Sequence, residues 1–367
     1  MENIEENILN NTNENIEENI LNNKNENIEE NILNNKNENI EENILNNTNK
    51  NIEENILNNT NENITSKYIT SKYLINSKIG AGDLSIVYSI IEKATNEPFV
   101  LKILSKDEIN KREKINRIMM EKEILEKIHH PLIISNHEIY ECDKYYYFIN
   151  EYCPSTLHNL LLKNKTFNEE WIKFYSAELL CAIEFLHHKG YVHRDIKPEN
   201  ILISNTGHIK LADFDLSTKS NICNYDVIKK YYFGNIKYVN HEPHINSNSF
   251  VGTPEYFAPE ILNNKLYTAS IDWWEFGILL YEMKYGYTPF KGTGMEDTFD
   301  NIIHLEVLYD NKVEISRELK KLLEALLNKN NNNRLGFKYG SYEIKNHIFY
   351  KDVKFQLIMN VKPPYIP

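Results

Sequence analysis

The chain has 367 residues and a formal net charge of −12, from 41 basic and 53 acidic side chains. Residues 1–64 hold 15 acidic and 3 basic residues, so the remainder carries 38 of each sign and is formally neutral. There is no basic block to bind nucleic acid, and no apolar run approaches the ~18 residues that span a bilayer.

Four cysteines, Cys142, Cys153, Cys181 and Cys223, lack CxxC spacing. That argues against a zinc site or disulfide framework and fits a reducing compartment. The acidic, Asn-rich N-terminus is unlike a signal or transit peptide. The expectation is a soluble cytoplasmic protein, with the nucleus as the other compartment open to it, and no transmembrane segment.

Residues 2–61 are five copies of a 12-residue unit, ENIEENILNN(T/K)N. At ~100° per residue a helical apolar face turns by about 120° from copy to copy, so no continuous stripe forms. The Asn content is also poor for helix. The composition predicts a solvated, disordered repeat over 1–64. The other reading is a repeat that oligomerises or binds a partner.

From Thr65 the composition becomes that of a globular domain. Residues 73–88, YLINSKIGAGDLSIVY, read as strand, glycine turn, strand. Gly80 and Gly82 would let backbone amides approach a phosphate without Cβ obstruction, and a plain hairpin turn is the alternative. Val87 would pack on a nucleobase. PFVLKIL (98–104) is an apolar strand interrupted by Lys102, which is costly there unless paired. RIMMEKEILEKI (117–128) has helical spacing at Ile118, Glu121, Ile124, Leu125 and Ile128. Glu121 lies on or beside the inward face and Glu123 does not, so Glu121 is the expected partner of Lys102.

KYYYFINEYCP (144–154) reads as a strand entering a connector at 151–154, where backbone groups would bond an adenine edge. A long amphipathic helix follows over 171–189, ended by Gly190. Next comes YVHRDIKPENILISNTGHIKLADFD (191–215), with Asp195, Lys197, Asn200 and Asp213 spaced as in a phosphoryl-transfer catalytic loop. Residues 216–248 read as a mobile loop, 249–262 as two proline turns, the chain to about 330 as helical, and the Asn run 330–333 as a linker.

HRDIKPEN (193–200), DFD (213–215), SFVGTPEYFAPE (249–260) and DWWEFGILLYEMKYGYTPF (272–290) together resemble the AGC group of serine/threonine protein kinases. Within it, DFD and the long insert at 216–248 look like the subgroup of plant phototropin and fungal flippase-activating kinases. The resemblance implies an α+β, bilobal protein-kinase fold. It places the kinase domain over 73–349, with a β-rich N-lobe over about 73–151 and a helical C-lobe over about 155–349. A shortened AGC-type tail over 350–367 is expected, lacking the turn and hydrophobic motifs.

The resemblance also implies ATP and Mg²⁺. Asp195 would orient the substrate hydroxyl and Lys197 would neutralise the moving phosphoryl group. Asn200 and Asp213 would hold Mg²⁺. Ile79, Gly80, Ala81, Gly82, Val87, Lys102, Glu121, Glu151 and Cys153 would bind the nucleotide. Ser249, phosphorylated by an upstream kinase, would pair with Arg194. Glu260 would clamp Arg334. Glu199, Glu282 and Thr253 would face the substrate, a protein Ser/Thr in a basic context.

The sequence departs from the family pattern at Ser85, where a glycine is usual, and at Asp215. It also departs at Asn150, where an apolar residue is usual, and at Ser155–Leu157, where an acid is usual. A pseudokinase or scaffold acting through partners is the competing reading, disfavoured because Lys102, Glu121, Asp195, Asn200 and Asp213 are all chemically competent.

Overall fold

The computed structural model describes residues 66–82, 84–219, 251–265 and 267–367, and the backbone of 232–233 and 236–237. The repeat, the greater part of the 216–248 loop and Ser249 lie outside the described residues. Met1–Ser71 and Lys72–Pro367 form separate compact units. In the first, the described part is a short helix that begins at Lys67.

The second unit opens with a five-stranded antiparallel sheet in the order β1-β2-β3-β5-β4. Its strands are β1 (Tyr73–Ala81), β2 (Ser85–Glu92), β3 (Pro98–Ser105), β4 (Asn136–Glu141) and β5 (Tyr145–Glu151). Pro98 opens β3, the strand position where a missing N–H costs least. Phe99, Leu101 and Ile103 alternate inward along β3, as the two-residue pleat requires. Tyr146 to Ile149 of β5 are all buried, because β5 lies between β3 and β4 and is covered on both faces. Tyr146 and Phe148 join the main core.

The helix Ile115–Lys127 buries Ile118, Glu121, Ile124 and Leu125. That spacing gives one inward stripe, and it includes a carboxylate. The helical half is built on Glu169–His188 and Ser270–Tyr285. The first starts two residues before Trp171, where Asn168 caps it by accepting from the Trp171 N–H at 2.9 Å. It gives way to Gly190 at φ +82°. In the second, every residue but Glu282 is buried, so its acids Asp272 and Glu275 must find partners inside. Gly286, at φ +79°, ends it. Gly277 lets the chain at Leu326 and Leu327 pack close: a Cβ there would meet both at 2.9 Å.

β6 (Ser155–Thr156), β8 (Ile201–Ile203) and β9 (Ile209–Leu211) form one small sheet. β7 (Tyr191–Val192) and β10 (Thr218–Lys219) form another. They set the stretch 193–217 at the edge of the helical half. The 330–333 run is a capped turn rather than a slack linker. Asn330 accepts from the Asn332 N–H at 3.1 Å, and a short 3-10 turn over Asn331–Asn333 delivers Arg334 into the core. No helix among the described residues is long and apolar enough to cross a membrane.

Candidate active site

Strand register assembles the first half of the site. Val87 lies opposite Gly80 on β1 and opposite Lys102 on β3, so the glycine turn and the lysine meet across β2. Ile79 is half exposed. The turn closes by a bond from the Gly82 N–H to the Ser85 carbonyl at 2.8 Å, and a Cβ on Gly82 would stand 3.1 Å from Ser85 Oγ. Serine at 85 therefore fits a tight turn.

Lys102 Nζ donates to Glu121 Oε1 at 2.7 Å and to Asp213 Oδ1 at 3.2 Å. Burial works to lower the ammonium's pKa, but the two carboxylates outweigh it and hold it above the usual lysine range. Burial pushes the Glu121 carboxyl up to about 7, against the pull of Lys102. Lys102 holds the Asp213 carboxyl below the usual range. Asp213 has φ +63°, a conformation that Asp tolerates better than most residues. Asp215 is not among the positive-φ residues, so no glycine is demanded there.

The second half is centred on Asp195, which is 5% exposed. Its Oδ2 accepts from Lys197 Nζ at 2.8 Å and Asn200 Nδ2 at 3.0 Å. Its Oδ1 accepts from Thr253 Oγ1 at 2.7 Å, and Lys197 Nζ also reaches that hydroxyl at 2.9 Å. The carboxylate is thus fixed by two residues of its own loop and by Thr253, 58 residues further on.

Two buried acids hold this loop by its backbone. Asp272 accepts from the His193 N–H at 2.9 Å, the Arg194 N–H at 2.8 Å and His187 Nε2 at 2.7 Å. Glu275 accepts from the Ile196 N–H at 2.8 Å. Both ride on the buried helix Ser270–Tyr285. Burial works to raise the Asp272 pKa, but His187 and His193 overcome it and hold the carboxyl below the usual range. Burial and the Asp272 charge raise Glu275. Arg194 has φ +67°, a strained conformation that survives only when its surroundings over-determine it. Asp272 does so at the backbone. The side chain donates to Leu216 O at 2.7 Å, Ser217 O at 3.4 Å and Tyr267 Oη at 3.0 Å. His193 is paired with the Ala212 carbonyl at 3.1 Å and lies edge-on to Phe214, tying the loop to the backbone beside Asp213.

At the connector, the Glu151 N–H is already bonded to the Ser135 carbonyl, and its carboxylate is held by Lys210 at 2.9 Å. Cys153 packs against the core, and burial pushes its thiol up to about 12. Asn150 Oδ1 accepts from Asn136 Nδ2 at 2.9 Å, which fixes the polar side chain at that position. Ser155–Thr156 forms strand β6, and Thr156 then caps the next helix by accepting from the Asn159 N–H at 3.0 Å. A structural cap thus occupies the stretch where the resemblance leads one to expect an acid.

Glu199 is half exposed, with His158 Nδ1 3.4 Å away. Glu282 accepts from the Tyr256 hydroxyl. Burial raises the Glu282 carboxyl, with Glu199 and Glu255 adding to the effect, so the three acids share one region. Glu260 and Arg334 form a bidentate buried pair at 2.6 and 2.8 Å, stacked on Trp274.

Sequence reasoning passed over Asp272 and Glu275. An acid inside the apolar run IDWWEFG was a usable signal, since a buried charge must find partners. Among the described residues no group of three or more Asp, Glu, His or Cys converges as a metal cage. The metal expected from the family resemblance is Mg²⁺, and Asp213 and Asn200 would bring one carboxylate and one amide oxygen to it, a donor set that fits an ion keeping water and substrate phosphate in its other positions.

This fold and site define a protein kinase, and comparison with known proteins agrees. The protein kinase domain family matches residues 73–350. Flippase kinase 1 of Saccharomyces cerevisiae is 43% identical over 297 residues, covering 79% of this chain and 33% of that protein. Serine/threonine-protein kinase nrc-2 of Neurospora crassa is 38% identical over 302 residues, covering 79% and 48%. Phototropin-1A of Oryza sativa subsp. japonica is 38% identical over 297 residues, covering 78% and 32%. The chain belongs to the protein kinase family, as an AGC-group member related to flippase kinase and the phototropins. It spans half or less of the length of these three relatives.

Proposed function

We propose that this protein transfers the γ-phosphate of ATP to serine and threonine hydroxyls of other proteins. The observation that carries the reading is the Asp195 network beside the Lys102–Glu121–Asp213 cluster. Lys197, Asn200 and Thr253 keep the Asp195 carboxylate aimed, ready to orient a substrate hydroxyl. Lys102 is charged and anchored by Glu121, as a ligand for phosphate oxygens must be. Asp213 and Asn200 would hold Mg²⁺, which neutralises phosphate charge when bound. Lys197 supplies positive charge next to Asp195. Such a site works by positioning and electrostatics with no covalent intermediate. Ile79 to Gly82, Val87, Glu151 and Cys153 complete the nucleotide side of the proposal.

Two finer readings belong to the same proposal. Glu199 and Glu282 would favour substrates with basic residues near the phosphoacceptor, and Thr253, which donates to Asp195 Oδ1, would face the substrate. Phosphorylation of Ser249 by an upstream kinase would add about −1.5 to −2 charge. Arg194 now donates to neutral oxygens of Leu216, Ser217 and Tyr267, and a phosphate is the stronger acceptor.

Paired peptides differing only by Arg or Ala near the acceptor serine test the first. A clear preference for Arg that falls in Glu282→Gln supports it, and equal kcat/KM for both peptides refutes it. Ser249→Ala tests the second: lower activity is expected, and full activity would rule the phosphate switch out.

A further inference from the structure

Glu123 lies two residues beyond Glu121 on the helix Ile115–Lys127, off the buried stripe that includes Glu121. One oxygen, Oε1, accepts from Lys219 Nζ at 2.7 Å, Tyr191 Oη at 2.9 Å and Lys127 Nζ at 2.9 Å. Lys127 belongs to the same helix. The other two do not. Tyr191 sits on β7, the strand that leads into the catalytic loop. Lys219 sits on β10, just after the stretch that follows Asp213. The two are direct cross-strand partners, and Lys219 Nζ also lies 5.5 Å from the Tyr191 ring centroid.

A single carboxylate therefore joins three elements: the helix that carries Glu121, the strand entering the loop of Asp195 and the strand leaving Asp213. We infer that Glu123 is a positioning residue, holding the helix Ile115–Lys127 against the β7–β10 pair so that Glu121 meets Lys102. The inference rests on the proposed kinase function for its activity readout, but its geometry does not need it.

The arrangement has the features such a role requires. Tyr191 is 3% exposed, so its hydroxyl is delivered from a rigid, packed position. Lys219 holds the Glu123 carboxyl down to about 2, helped by Lys127 and Tyr191. Glu121 is itself buried, and on a rigid helix it shifts with Glu123. An isolated surface ion pair contributes little. Here the acceptor serves three donors, one of them buried, and the elements it joins carry the reacting groups.

The test uses the full chain with Glu123→Gln, Lys219→Met and Tyr191→Phe, and the double variant Glu123→Gln/Lys219→Met. Wild type and variants are compared for KM of ATP, kcat and amide exchange in 115–127. A displaced ion pair should raise the KM of ATP in Glu123→Gln by roughly 3- to 30-fold, as expected when charge-assisted bonds that align a site are lost. Lys219→Met should act in the same direction, and the double variant should be little worse than Glu123→Gln alone. A merely structural role would lower the melting temperature without raising the KM of the folded enzyme. Exchange in 115–127 should quicken in both single variants. That readout needs no turnover, so it decides the inference even if the chain proved inactive. ATP kinetics within twofold of wild type, or unchanged exchange in Glu123→Gln and Lys219→Met, would overturn it.

Discussion

Replacing Asp272 by Asn changes one atom of a side chain that touches no substrate, and the structure predicts that it damages both stability and catalysis. Asp272 accepts two backbone N–H bonds and one histidine bond in a fully buried position. Asn keeps one acceptor oxygen and puts an NH₂ group in the other place. At least one of the His193 and Arg194 N–H groups is then left facing a donor. An unsatisfied buried donor costs ~1–3 kcal/mol, and the remaining bonds lose their charge assistance at ~1 kcal/mol each. The sum is about 2–5 kcal/mol, close to the ~3–5 kcal/mol typical of a broken buried ion pair. A unit of roughly 300 residues unfolds with an entropy of ~0.6 kcal/mol per kelvin, so the melting temperature should fall by about 3–8 °C. The strained Arg194 backbone also loses its restraint, and Asp195 follows it in the chain. Displacement of a catalytic group by ~1 Å costs about 10²-fold. Thermal unfolding and kcat at saturating ATP, measured on the same preparation, check both effects. A variant with wild-type melting temperature and kcat would refute the claim that Asp272 sets the loop.

Other outcomes follow from the same geometry. Arg334→Met leaves Glu260 buried without its bidentate partner, so a loss of ~3–5 kcal/mol, or about 5–8 °C in thermal melts, is expected; a change under 1 °C would contradict it. Gly207 has φ +88°, and a Cβ there would lie 2.2 Å from the Tyr365 carbonyl and 2.9 Å from Pro363 Cβ. Gly207→Ala should therefore dislodge the chain around Pro363–Ile366, seen as faster amide exchange at 361–367, and unchanged exchange would show that this packing is dispensable. The Glu123 carboxyl is held at about 2 against an ordinary 4.5. The unfolded chain takes up that proton first as pH falls, so the stability Glu123 contributes is full above about 4.5 and lost by about 2. The melting-temperature gap between wild type and Glu123→Gln, at low salt, should close across that window. A gap of constant size down to pH 3 would speak against the network.

How far the sequence shows this site depends on how local each signal is. Lys102 stands out because a cation in an apolar strand needs a partner, and helical spacing picks Glu121 over Glu123. The pair Glu260–Arg334 comes through the family resemblance, and the structure bears it out. The glycine turn and its flanking strands are legible from alternation and composition. Long-range bonding is where the sequence falls silent. Nothing near Arg194 announces φ +67°, because the restraint comes from Asp272, 78 residues on. Helical spacing says of Glu123 only that it is off the inward face, because its partners, Tyr191 and Lys219, are brought to it by strand pairing. The Asn run at 330–333 looks like a linker by composition, yet the Asn330 side chain caps its turn. Ser249 lies outside the described residues, so its pairing with Arg194 stands as part of the proposal.

The account turns on Asp195, and its most direct test is transfer of labelled γ-phosphate from ATP, with Mg²⁺ present, to a serine-containing basic peptide by wild type and Asp195→Asn. The geometry predicts turnover by the wild-type protein and its near-complete loss in the variant, with folding and nucleotide binding retained. Turnover that survives in Asp195→Asn, or a folded wild-type protein that binds ATP and transfers nothing, would contradict it.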